Sequence, residues 1–191
     1  CTLSVNTTIS AIEKGAEAKN ILLHTDEGEE LIFDRVLVTV PLGVLKENNL
    51  AFYPGLSTEK QTAISALRTG KCNKVVLHFQ KTFWPQDAQS LLIFSAKGHL
   101  YEYLNLDYFS QNKTDTLVIT LYGKAADFTD KSDDDVVAQV LSPLQRIYRQ
   151  NSILLDFCIT RWESDPYARG AFTYLGPNAT PKNIRDMATP E

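Results

Sequence analysis

Residues 71–79 read Lys71-Cys72-Asn73-Lys74-Val75-Val76-Leu77-His78-Phe79, and no other stretch limits the fold as much. In a strand successive side chains point to opposite faces. Val75, Leu77 and Phe79 therefore share one face, and Cys72, Lys74, Val76 and His78 share the other. The first face must be covered. A second periodic signal lies further along the chain. From Ser132, with Asp135 following at cap spacing, Val136, Val137, Val140, Leu141, Leu144, Ile147 and Tyr148 recur at the 3.6-residue period of an amphipathic helix. Pro143 sits inside that stripe, where it removes one backbone hydrogen bond and predicts a kink.

Other segments add strands. Residues 2–12 alternate loosely around Leu3, Val5 and Ile9. Residues 20–25 and 30–40 form a hairpin about the turn Asp26-Glu27-Gly28-Glu29. Its second arm, through Arg35-Val36-Leu37-Val38-Thr39-Val40, is apolar on both faces and reads as a buried strand ended by Pro41 and Gly43. A helix opens at residues 57–61, with Thr58 and Gln61 at the spacing of a capping box. Ala63, Ile64, Ala66 and Leu67 are its apolar face, and Gly70 suits its C′ position. Strands follow at 90–95, 100–107 and 115–122, separated by Lys97-Gly98 and by Ser110-Gln111-Asn112-Lys113, with a last one at 153–162. Strands outnumber helices without alternating regularly with them, so the class is α+β with a mixed β-sheet and helices packed on it.

The composition is that of a globular domain: 43% of the 191 residues are hydrophobic and 22% charged. No apolar run approaches a membrane span, and no signal peptide is evident. The first residue is Cys1 and the only methionine is Met187, so both ends read as cuts from something longer. Net charge is −4 and the basic residues are dispersed, which excludes the footprint of a nucleic-acid binder. Cys1, Cys72 and Cys158 lack CxxC spacing, arguing against a disulfide scaffold or zinc site and favouring a reducing, intracellular compartment. Sequons stand at Asn6, Asn112 and Asn178 and matter only in a secreted protein. The glycines never occur as G-x-G, so neither a dinucleotide fingerprint nor a P-loop is present. His24, His78 and His99 are far apart, and no metal site is expected.

Two groups of residues can carry chemistry. Lys74 is either a solvated lysine on an outer strand face or a lysine aimed into a cavity, where partial desolvation makes it reactive. Phe83, Trp84, Tyr101, Tyr103, Tyr108, Trp162, Tyr167, Phe172 and Tyr174 either fill a core or line a pocket for an apolar or cationic group. The loop-like density from Trp162 to Tyr174, with Pro166, Gly170 and Gly176, suits the second reading best.

Taken in order, these stretches resemble one family. Phe33-Asp34-Arg35-Val36-Leu37-Val38-Thr39-Val40-Pro41-Leu42-Gly43-Val44-Leu45-Lys46 is similar to the strand-to-helix junction of flavin-containing amine oxidases. Phe52-Tyr53-Pro54-Gly55-Leu56 followed by a helix, then Gly70 to Phe79, then Phe83-Trp84, resembles the same family. Arg161-Trp162-Glu163-Ser164-Asp165-Pro166-Tyr167-Ala168-Arg169-Gly170-Ala171-Phe172 looks like its late aromatic loop. The likeness is greatest to the lysine-specific histone demethylase and polyamine oxidase branch, and it runs over essentially the whole chain.

The resemblance implies a partial, incomplete FAD-binding domain segment over residues 1–45, a substrate-binding domain over 46–160, and a return segment over 161–191. Ile9 matches a position whose backbone meets the adenine end of FAD. Thr39, Val40 and Pro41 match a segment near the flavin, and Trp162 and Tyr167 match aromatics beside the isoalloxazine ring. Lys74 matches the lysine that holds a water against flavin N5. Phe172 matches one wall of an aromatic cage around the substrate amine, with Ala171 as its neighbour. The implied reaction removes a hydride equivalent from an amine to flavin N5, leaving an imine that hydrolyses to a carbonyl compound, with oxygen the acceptor.

Phe172 stands where tyrosine is usual, and Ala171 where relatives carry a small polar residue, which leaves the amine unspecified. The upstream G-x-G-x-x-G unit and the downstream G-E-x-T segment are not among these residues, so this chain alone is expected to hold FAD poorly and to be inactive. Residues 1–45 would then expose surface and invite self-association. The alternatives are an FAD-dependent desaturase or porphyrinogen oxidase-like enzyme, or a non-catalytic binding module on the same fold.

Overall fold

The computed structural model describes residues 2–15, 20–95, 99–110, 112–149 and 152–191. Cys1, the Lys97-Gly98 turn and Gln111 lie outside the described residues. In chain order the strands are β1 (Ile9–Lys14), β2 (Ile21–Thr25), β3 (Glu30–Phe33), β4 (Ala51–Tyr53), β5 (Leu67–Gly70), β6 (Cys72–Phe79), β7 (Ser90–Phe94), β8 (Leu100–Asn105), β9 (Thr116–Tyr122), β10 (Leu154–Ile159) and β11 (Phe172–Leu175). The helices are α1 (Leu42–Lys46), α2 (Thr58–Ala66), α3 (Leu106–Phe109), α4 (Asp133–Tyr148) and α5 (Pro181–Ala188), with a 3₁₀ turn at Gly123–Ala126. The class is α+β. Two compact units form, one from Cys1–Thr69 with Asp165–Glu191 and the other from Gly70–Ser164.

In the unit Gly70–Ser164 a five-stranded sheet runs in the order β10-β6-β9-β8-β7, and its pairs are antiparallel. Along β6, Asn73, Val75, Leu77 and Phe79 are buried while Lys74 and His78 are exposed, which is the alternation read from the sequence. The buried face joins Leu91, Ile93, Tyr103, Leu117, Ile119 and Leu121 of the neighbouring strands to Val136, Val140 and Leu144 of α4. Phe83 and Trp84 belong to this core, edge-on to Phe79 with ring centroids 5.0 and 5.6 Å from it.

Helix α4 is placed by its cap and its stripe together. The Asp135 amide donates to Ser132 Oγ at 3.1 Å, and the Asp135 carboxylate accepts from the Ser132 amide in return. Asp133, Asp134 and Asp135 put negative charge at the positive end of the helix dipole. The helix continues through Pro143 to Tyr148. Sheet and helix are also joined by one buried polar contact, Tyr103 Oη donating to the Val140 carbonyl at 2.7 Å. Burial, then the neighbouring Tyr101, pushes the Tyr103 phenol well above its ordinary pKa. Tyr103→Phe is expected to cost about 1 kcal/mol, the net worth of one such bond, read as a lower urea midpoint with an unchanged m-value.

In the other unit a four-stranded sheet has the order β3-β2-β1-β4. It is a mixed sheet, because β4 lies parallel to β1 while the other pairs are antiparallel. Leu42, Ile64 and Leu67 form a small core with Leu45, Leu56, Ala179 and Met187 around it. Helix α5 packs along α2, and Lys60 Nζ caps the contact by donating to the Met187 carbonyl at 3.2 Å. β5 pairs with β11.

Several local expectations are corrected. The run Arg35–Val40 is not a buried strand: β3 stops at Phe33, and residues 35–40 belong to no strand. Leu37 is 87% exposed, because no described strand lies beside this run to pair with it. Residues 2–8 join no strand either. Thr58 and Gln61 do not form a capping box: Ser57 is the N-cap, and Gln61 instead donates to the Leu56 carbonyl at 2.6 Å. Gly70 is not a helix C′ residue, because the backbone turns extended at Leu67 and enters β5. Strands β4, β5 and β11 and helices α3 and α5 were not anticipated, being too short for a periodic signal, whereas α1 stands where the resemblance implies the helix of a strand-to-helix junction.

Candidate functional site

Lys74 projects from the exposed face of β6, opposite the core. None of the ion pairs among the described residues involves it. Its main chain is held firmly on the β10 side. The Lys74 amide donates to Thr160 Oγ1 at 2.7 Å, and the Thr160 amide donates to the Lys74 carbonyl at 3.0 Å. The Cys72 thiol is pushed above its ordinary pKa by burial, with the Lys74 ammonium opposing that rise and Glu163 adding to it. These groups therefore share one electrostatic neighbourhood.

Trp162 follows β10 and belongs to the same unit. Its side chain is 43% exposed, yet its amide is fixed, donating to Asn73 Oδ1 at 3.1 Å. Asn73 is fully buried on the core face of β6. Arg161, beside it, donates to the carbonyls of Phe128 and Lys131 and pairs with Asp133 at 2.6 Å. The structure thus brings Lys74 and the Trp162 backbone into one hydrogen-bonded frame.

The remaining candidates lie in the other unit. Ile9 opens β1 and is half-buried. Tyr167, 67% exposed, has its hydroxyl 3.3 Å from Thr8 Oγ1, beside Ile9. Thr39, Val40 and Pro41 are exposed and lead into α1. Gly43 in that helix abuts Arg169, so the start of α1 and the loop bearing Tyr167 and Ala171 meet. Gly170, at φ +138°, approaches Thr69 so closely that a Cβ there would lie 2.8 Å from the threonine Cβ. That loop delivers Ala171, half-buried, and Phe172, 48% exposed, to the start of β11. Phe172 and Tyr174 project from the same strand with ring centroids 6.2 Å apart. Three separate stretches, at Thr8–Ile9, Pro41–Gly43 and 167–172, therefore converge in this unit.

A cavity of about 640 Å³ in this unit is lined by Leu50, Phe52, Leu56 and Ile64 among others and includes none of the candidate residues. Among the described residues no cluster of three or more histidine, cysteine and carboxylate side chains is arranged to hold a metal ion. His24 does meet carboxylates in space, Glu13 at 3.1 Å and Glu30 at 3.7 Å across the hairpin. No helix among them is long and apolar enough to cross a membrane. Asn73, Thr160 and Glu163 were not singled out from sequence. The available signal was the phase of Asn73, a polar residue on the strand face otherwise occupied by Val75, Leu77 and Phe79.

Comparison with known proteins follows the same lines. A family model described as flavin containing amine oxidoreductase matches residues 1–191. The chain is 29% identical over 194 residues to histone demethylase-like protein A of Aspergillus fumigatus, covering 92% of this chain and 18% of that protein. It is 33% identical over 152 residues to polyamine oxidase 2 of Arabidopsis thaliana, covering 78% and 30%. It is also 32% identical over 177 residues to lysine-specific histone demethylase 1 homolog 1 of the same plant, covering 88% and 20%. A solved structure of putrescine oxidase with putrescine bound superposes with a TM-score of 0.70 at 20% identity, over 89% of this chain and 37% of that one. The chain thus spans no more than about a third of the curated relatives it matches.

Proposed function

The chain belongs to the flavin-containing amine oxidoreductases, and on that premise we propose that it is the substrate-side portion of a longer FAD-dependent amine oxidase. The observation that carries the reading is Lys74. It stands on the exposed face of β6 without a carboxylate partner among the described residues, while its backbone is locked by Thr160. A lysine that is free at the tip and fixed at the base can hold a water at a defined point.

The residues present suit part of the cofactor. In one unit the run 35–41 leaves Leu37, Val38 and Val40 uncovered, and Tyr167 is exposed on a backbone anchored to Asp165; in the other, Trp162 is exposed on a backbone anchored to Asn73. Such apolar and aromatic surface fits a planar ring system. A cradle for the pyrophosphate would need the Gly-rich turn, and no G-x-G occurs in the 191 residues. When bound, FAD supplies the acceptor for a hydride equivalent at N5, and oxygen takes the electrons afterwards. This chain's residues orient the amine and handle water and protons. Phe172, with Ala171 beside it, gives the amine an apolar and π-rich wall. Ile9, Thr39, Val40 and Pro41 present backbone to the cofactor, and Lys74 tethers the water. The imine product is released to hydrolysis, giving a carbonyl compound. By itself the chain holds FAD weakly and does not turn over, and its uncovered strip near Leu37 favours self-association.

The test is anaerobic titration of the flavin-loaded full-length protein with mono-, di- and polyamines and methylated lysine peptides. Loss of the oxidised-flavin absorbance with one class of amine is the expected result and names the substrate class. A band that survives every amine overturns the reading.

A further inference from the structure

We propose that Asn73 is a positioning residue that couples the main chain of Lys74 to the main chain of Trp162, with Glu163 as its counterpart. Its side chain is fully buried on the core face of β6, where a polar group must be satisfied or replaced. All four of its hydrogen-bonding valences are used. Nδ2 donates to the Ala126 carbonyl and to Glu163 Oε2, each at 2.9 Å. Oδ1 accepts from Thr160 Oγ1 and from the Trp162 amide, each at 3.1 Å. An amide has two donors and two acceptor lone pairs, so this set leaves no other orientation open. Flipping the group would aim N–H bonds at the Trp162 N–H.

The partners give the arrangement its direction. The Lys74 amide donates to Thr160 Oγ1, that hydroxyl donates to Asn73 Oδ1, and the same oxygen accepts from Trp162. An unbroken chain of three hydrogen bonds thus runs from one candidate residue's backbone to the other's. Asn73 contributes neither to the exposed face of β6 nor to the aromatic surface of Trp162, and it acts on both only through their backbones. Glu163 closes the frame from the far side. Its Oε1 is buried without a partner among the described residues, so the carboxylate is committed to Asn73 through Oε2. Placing Trp162 and Lys74 for amine oxidation rests on the function proposed above. The coupling itself does not.

The experiment uses the full-length protein labelled with 5-fluorotryptophan, with the ¹⁹F resonances of Trp84 and Trp162 assigned by single Trp→Phe substitutions. Trp84 is buried in the core and serves as the internal reference for folding. Asn73→Asp keeps the shape but sets a carboxylate against Glu163 and removes both donors. The Trp162 line is expected to shift and broaden while the Trp84 line stays in place. Adding Glu163→Gln to that variant supplies an amide donor to the new carboxylate and restores the Trp162 line in part. Glu163→Gln alone leaves both lines unmoved. A Trp162 line indifferent to Asn73→Asp, or a double variant no better than the single one, overturns the proposal. If Asn73→Asp does not fold, Thr160→Val decides by amide hydrogen exchange. Exchange at Lys74 at least tenfold faster supports the relay, and an unchanged rate overturns it. No flavin is needed in any arm, so an amine-inert holoenzyme would sink the functional reading and leave this one standing.

Discussion

Gly43→Ala is expected to unfold the unit built from Cys1–Thr69 and Asp165–Glu191 at temperatures where the unit Gly70–Ser164 remains folded. A methyl group at position 43 would be driven into the Arg169 carbonyl oxygen and would lie 2.5 Å from the Arg169 Cβ. The obstacle is backbone, so no rotamer change relieves it. Overpacking typically costs about 1–3 kcal/mol, and a rigid backbone contact belongs at the upper end of that range. Arg169 is already at φ 54°, a conformation with little room to adjust for a side-chain-bearing residue. The small core of Leu42, Ile64 and Leu67 can absorb little of such a loss. Gly55→Ala is the control, since a Cβ there meets nothing within 4 Å. The check is differential: protease cleavage near residues 165–175 should rise sharply in Gly43→Ala, while the Tyr103 region stays protected. Equal resistance of the two glycine variants would show that the α1 contact with the Arg169 loop is dispensable. Because the same loop carries Tyr167 and Ala171 and leads into Phe172, the function proposed above also expects the substitution to degrade amine binding in the full-length protein.

Lys74→Met carries the other large effect. In the flavin-loaded protein the variant should fold normally, because an exposed side chain on β6 contributes little to stability. Its reoxidation by oxygen after reduction with amine should slow by about 10²-fold, the low end for a positioned group that handles a proton. Stopped-flow absorbance separates the two half-reactions. Slow reoxidation with near-normal bleaching fits a tethered water. Unaltered kinetics in both halves would return Lys74 to the status of a solvated surface lysine.

How much of this was legible depended on whether a residue's neighbours were near in sequence. β6 and α4 were readable because their periodicity states which side is covered, and the Ser132 cap is local. The aromatic pair Phe83 and Trp84 fell in the core for the same reason of apolar density. The run Arg35–Val40 misled, because its composition records a burial that the described residues do not provide. Gln61 misled in another way: its spacing fits a cap, but a nearer carbonyl at Leu56 took its amide. The Asn73 frame was invisible as a frame, since its partners at 126, 160, 162 and 163 are brought up by two other parts of the chain. The close approach at Gly43 likewise depends on a residue more than a hundred positions away, and only coordinates reveal it.

One unit is continuous in sequence and the other is interrupted by it. During translation, residues 70–164 have all their partners by the time Ser164 leaves the ribosome, whereas the first sixty-nine residues still lack β11 and α5. The earlier-made half must therefore wait, with Leu42, Ile64 and Leu67 short of their cover, while a later-made half finishes. Such a nascent chain holds exposed apolar surface over the whole interval, the condition under which chaperones bind and aggregation competes. Ribosome-stalled chains ending before residue 165 should show a protease-resistant second unit only when enough linker is present to clear the exit tunnel, and a protease-sensitive N-terminal stretch throughout.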